Sequence, residues 1–72
     1  MFYRKRIRDL REDHDKSQQD IAAVLGAGQG TYSLYERGVR ELPLRHLITL
    51  CRYYRVSADY ILGFTDEMRP LP

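Results

Sequence analysis

The stretch SQQDIAAVLGAGQGTYSLYERG, residues 17–38, decides the fold. It reads as two short helices joined by a glycine-containing turn. Ser17 is placed to cap the first, because its side-chain oxygen can accept the unpaired N–H groups of the opening turn. Asp20, three residues on, completes a capping-box pattern and puts negative charge at the positive end of the helix. Ile21, Val24 and Leu25 share one face at i, i+3, i+4 spacing, and Ala22 has no bulk to keep a second helix away. Gly26 follows, where a residue in the left-handed region stops the helix without a Cβ penalty. After Gly28, a tolerated N-cap, a second helix runs from Gln29 to about Arg37 with Tyr32 and Tyr35 turned inward. The bend leaves Gln29, Gly30, Thr31, Ser33 and Leu34 at or near the outer side.

Outward from this pair, the pattern predicts further helices over about residues 2–13, 44–54 and 58–62. Ile7 and Leu10, with Tyr3 one turn earlier, give the first an inner face. Lys16, in the polar link that follows, can lay its alkyl stem on apolar surface. Pro43 suits the first turn of the fourth helix, where its missing N–H is harmless. Leu47, Leu50, Cys51 and Tyr54 then mark an inward stripe, with Leu44 and Ile48 on its flank. Ser57 caps the fifth helix, Asp59 favours its first turn and Gly63 ends it. Tyr60, Ile61 and Leu62 are more apolar surface than so short a helix normally buries. In the tail, residues 64–72, Phe64, Met68 and Leu71 can extend that surface, while Pro70 and Pro72 argue against a long sixth helix.

Seventy-two residues make one small domain, of a size that buries only about 60% of its unfolded surface. The formal charge of +2 is small but uneven. Arg4, Lys5, Arg6, Arg8 and Arg11 meet only Asp9 in the first eleven residues, which suits either an anionic partner or a solvated helix face. Cys51 is the only cysteine, so an intrachain disulfide is excluded and a thiolate zinc site is not expected. His14 has only consecutive acidic neighbours and reads as a surface residue, so no metal site is expected. No nucleophile is visibly paired with a base and no phosphate-binding loop occurs, which argues against an enzyme. No cofactor or small-molecule ligand is expected. With no signal-like or membrane-length apolar run, a reducing, nucleoid-containing cytoplasm is the expected compartment.

Several segments in one register resemble the helix-turn-helix of the phage-repressor and Cro-type, or Xre, family: IRDLR, SQQDIA, the LG of the turn, YERG, Pro43 with Leu47, and VSADYILG. The resemblance covers about Ile7 to Gly63. It implies an all-α, five-helix, lambda-repressor-like DNA-binding domain whose third helix enters the major groove. It also implies an ion pair between Arg11 and Glu36, and a Gln18 that touches DNA backbone and braces the reading residue of the third helix. Ser17 and Thr31 join Gln18 as expected phosphate contacts. Arg37 and Arg40 flank the turn after the third helix and are placed for phosphates as well.

Gln29 is the best base reader, since a carboxamide can bond the N6 and N7 edge of adenine. Gly30 contributes no side chain but allows close backbone approach, and Ser33 can reach a base. Leu34 suits either a thymine methyl or an apolar contact within the protein. The resemblance further implies a homodimer, with Tyr60, Phe64 and Met68 as candidate interface, on an inverted-repeat operator in double-stranded DNA. The expected activity is transcriptional repression. The alternative is a protein-interaction module, such as an antitoxin or scaffold, that keeps the fold.

Overall fold

The computed structural model describes residues 2–69, and its regular elements are five helices: α1 (Tyr3–Asp13), α2 (Gln18–Leu25), α3 (Gln29–Arg37), α4 (Leu44–Tyr54) and α5 (Ala58–Leu62). This is the all-α architecture that the sequence predicts. Pro70, Leu71 and Pro72 lie outside the described residues.

Local chemistry fixes the central pair. The Asp20 N–H donates to Ser17 Oγ at 3.0 Å, and the Ser17 N–H donates back to Asp20 Oδ2 at 2.9 Å. This reciprocal box satisfies donors that the first turn of α2 would otherwise leave to water. At its other end Gly26 takes a left-handed φ of 67° and ends the helix, and the Ala27 N–H reaches back to the Ala22 carbonyl at 2.9 Å. The chain then turns within Ala27 and Gly28 into α3, which packs on α2.

The core joins residues from all five helices and the α4–α5 link: Ile7 and Leu10 from α1, Ile21 and Leu25 from α2, Tyr32 and Tyr35 from α3, Leu47 and Leu50 from α4, Val56, and Ile61 from α5. Five of the six tyrosines are buried, Tyr53 being the exposed one. Rings thus fill volume that a chain this short cannot fill with aliphatic side chains alone. Their hydroxyls differ in fate. Tyr3 Oη accepts the Leu42 N–H at 3.1 Å and so ties the α3–α4 crossing to α1. The Tyr32 and Tyr54 hydroxyls are buried without a hydrogen bond of good geometry.

Some side chains lie elsewhere than their spacing suggests. Leu44 and Ile48 are exposed, and Val24 is only partly buried. His46 is inside, its ring centroid 5.9 Å from that of Tyr35, and burial pushes its pKa down towards the neutral imidazole. Cys51 packs partly buried against the core, and burial pushes its thiol pKa up, as befits an unreactive apolar filler. His14 has an exposed place in the link, with Nδ1 2.8 Å from the Leu10 carbonyl oxygen.

Candidate nucleic-acid interface

Helix α3 presents two unlike sides because Tyr32 and Tyr35 are drawn into the core. On the other side Gln29 and Gly30 are exposed, while Thr31, Ser33 and Leu34 are partly exposed. Among the described residues, the side chains of Gln29, Thr31 and Ser33 have no hydrogen-bond partner within the chain. Gly30 does not need to be glycine for the fold's sake: its φ is ordinary, and a Cβ built there meets nothing within 4 Å. Arg37 and Arg40 are both exposed beside the C-terminal end of α3. Ser17 is exposed at the N-cap of α2, its hydroxyl already engaged by the cap.

A nearly dry ionic knot sets the angle of this surface. Arg11 Nε donates to Glu36 Oε2 at 2.8 Å and Nη2 to Oε1 at 3.1 Å, a forked pair that fixes both planes. The Glu36 side chain is 4% exposed and that of Arg11 13%. Arg11 Nη1 also donates to the Lys16 carbonyl at 3.0 Å, so one guanidinium holds α1, the α1–α2 link and α3 together. Gln18 Nε2 donates to Glu36 Oε1 at 3.2 Å. In the free chain the amide therefore braces Glu36. Burial opposes ionisation of Glu36, but the hydrogen bonds from Arg11 and Gln18 outweigh it and hold the carboxyl below its ordinary pKa range.

The tail end of the molecule has its own cluster. The Arg6 guanidinium lies 4.1 Å from the Tyr60 ring centroid and 5.0 Å from that of Phe2, and its Nη2 meets Asp66 Oδ1 at 2.6 Å. Tyr60 is consequently buried, whereas Phe64 and Met68 are 78% and 49% exposed. The first-helix cations that the sequence marked as a patch are largely matched by acids: Lys5 with Asp9 at 2.6 Å and Arg8 with Glu12 at 3.2 Å. Among the described residues there is no cluster of three or more side chains able to hold a metal, and no helix is long and apolar enough to cross a membrane.

Comparison with known proteins agrees with this geometry. The helix-turn-helix family HTH_3 matches residues 7–61. An uncharacterized HTH-type transcriptional regulator of Bacillus subtilis, YobD, is 40% identical over 96% of this chain and 62% of its own length. The cryptic phage CTXphi transcriptional repressor RstR of Vibrio cholerae is 35% identical over 90% of this chain and 59% of its own. The antitoxin PezA of Streptococcus pneumoniae is 28% identical over 93% of this chain and 42% of its own. The chain thus spans about half of the length of these curated relatives. No solved structure matches it significantly. The match over most of the chain, on the helices that form the knot and the outer side of α3, places this protein in the Xre-type helix-turn-helix family of transcriptional regulators and repressors.

Proposed function

We propose that the chain is a sequence-specific DNA-binding transcriptional regulator, a repressor that binds an inverted-repeat operator as a dimer with α3 in the major groove. The observation that carries the reading is the outer side of α3, whose polar side chains have no partner in the chain and whose ends are flanked by Arg37 and Arg40. Gln29 is assigned the main base contact, with Ser33 and Leu34 beside it and Gly30 leaving room for close approach. Ser17, Gln18, Thr31, Arg37 and Arg40 are assigned phosphates, which supply affinity and register but no direct base code. Phe64 and Met68 are apolar and exposed, which suits a second copy, and two copies would set their α3 helices about 34–36 Å apart. Tyr60, the third interface candidate, is buried beneath Arg6 and could only support such a surface from below.

One observation favours a second reading, a protein-interaction module. The relative PezA is named an antitoxin, and Gly30 and Leu34 make the outer side of α3 sparse in polar readers. Selection of duplexes from a random pool separates the two. The regulator reading expects a shared inverted repeat and binding that weakens steeply as salt rises. Gln29→Ala should relax preference at one base step, whereas Arg40→Ala should weaken all sequences alike and flatten the salt slope by about one. Recovery of no motif, with binding insensitive to salt, would refute the regulator reading.

A further inference from the structure

Helix α1 opens with Arg4, Lys5 and Arg6 and has no acid in its first turn. Cations there oppose the helix dipole, so each needs a compensating partner. Lys5 and Arg6 find carboxylates in Asp9 and Asp66. Arg4 reaches the main chain as well: its Nη1 donates to the carbonyl of Arg37 at 3.2 Å, a contact spanning 33 residues. Arg37 is the last residue of α3, whose terminal carbonyls lack partners in the next turn and carry the negative end of that helix dipole. The Gly38 and Val39 N–H groups turn back to the Tyr35 and Leu34 carbonyls at 3.2 and 3.0 Å, and Arg4 serves the carbonyl of Arg37. The guanidinium also lies directly over Gly38, where a Cβ would collide with Arg4 Cδ, Nη1 and Cζ. Gly38 is favoured there by its left-handed φ of 75°, and the guanidinium occupies the space that a Cβ would fill.

We propose that Arg4 is a positioning residue for the phosphate-facing edge of the interface. It acts through the C-terminal turn of α3 to fix where Arg37 and Arg40 present their charge. The proposal rests on the DNA-binding reading above. Arg11 grips the Glu36 side chain and so holds the body of α3, but nothing in that grip restrains the main chain beyond Arg37. Arg4 supplies that restraint from two turns earlier on α1, about 10 Å away along its axis. Arg40 is joined to the same turn, because its N–H bonds the Leu34 carbonyl at 3.3 Å. On this proposal a cation at the start of α1 sets the place of the two assigned to phosphate.

The test is a double-mutant cycle with Arg4→Met and Arg40→Ala, read by titration of the duplex selected by the wild-type chain, together with amide hydrogen exchange on the free proteins. Arg4→Met is expected to weaken binding about threefold to tenfold, and adding Arg40→Ala should cost less than about twofold more, because a released Arg40 has little left to lose. In the same variant, without DNA, the Gly38, Val39 and Arg40 amides should exchange about tenfold faster while that of Leu50 is unchanged. Arg4→Lys, which keeps a charge and a donor, should restore both readouts to within about twofold. Independent, multiplicative losses in the cycle would overturn the proposal. So would unchanged turn amides, or equal acceleration at Leu50, which would make Arg4 a general packing residue. A wild-type chain that selects no duplex would refute the DNA-binding reading instead, and the exchange measurement would still decide whether Arg4 holds the turn.

Discussion

Arg11→Met should be among the most damaging single changes in this protein, because it leaves the Glu36 carboxylate buried without its cation. The side chains are 13% and 4% exposed and joined by two hydrogen bonds, so solvent can replace little of what is lost. Removing one partner of such a pair costs about 3–5 kcal/mol, and the partial exposure of Arg11 argues for the lower figure, about 3 kcal/mol. Domains of this size have a total stability of roughly 4–11 kcal/mol, from about 0.05–0.15 kcal/mol per residue. With a urea slope of about 1 kcal/mol per molar, the unfolding midpoint should fall by roughly 3 M. Arg11→Met combined with Glu36→Met should recover most of the loss, since the pair itself gains little over apolar packing once its desolvation is counted.

Acid supplies a second and opposite-signed check. In the wild-type chain the folded-state pKa of Glu36 lies below its ordinary value. The associated stability is therefore present above the unfolded value, about 4.3, and is lost as pH falls through the folded one. In Arg11→Met the largest contact opposing burial is gone while the Gln18 hydrogen bond is left, and the folded value of Glu36 should rise. The penalty is then full at neutral pH and fades as pH falls through that raised value. Acidification should narrow the gap between the two proteins from both sides. A midpoint shift worth less than about 1 kcal/mol at neutral pH, or a gap that does not change with pH, would refute the reasoning.

Gly30→Ala should stabilise the free protein by up to about 1 kcal/mol and raise its Tm by several degrees, since the position is helical and a Cβ there meets nothing within 4 Å. Thermal unfolding checks this, and a drop in Tm would contradict it; a loss of duplex affinity in the stabilised variant would locate close approach of DNA at this position. Tyr32→Phe should leave stability within about 1 kcal/mol of wild type, because the buried hydroxyl has no well-formed hydrogen bond to lose. A loss above about 2 kcal/mol in urea unfolding would contradict this and show that the hydroxyl is hydrogen-bonded in the folded protein.

What could be read from the sequence was what local chemistry decides. Ser17 and Asp20 lie three apart and make their box within one turn; Gly26 and Gly38 take left-handed conformations at helix ends. The Arg11–Glu36 pair, 25 residues apart, was reached only through family resemblance. His46 follows Arg45 and is polar, which hides it as a core residue, although it stands four residues before Leu50 and eight before Tyr54 on one stripe. That spacing was the available signal. Leu44 and Ile48 could not be placed by periodicity alone, since a flank position is buried only if another helix reaches it, and none does.

Charge at the wrong end of a helix carried information that apolar periodicity did not. Three cations in the first turn of α1 are each unfavourable there when considered locally. A fold that keeps them must bring something to each, and for two of the three it brings a part of the chain remote in sequence: the α3 carbonyl terminus to Arg4, and Asp66 with the Tyr60 ring to Arg6. Those two contacts bind α1 to the end of α3 and to the segment after α5. The patch that first suggested an external anion is thus largely matched within the chain, and among the described residues Arg37 and Arg40 stand exposed at the end of α3. Affinity for phosphate is expected to reside there, in a turn whose position depends on a residue at the far end of the sequence.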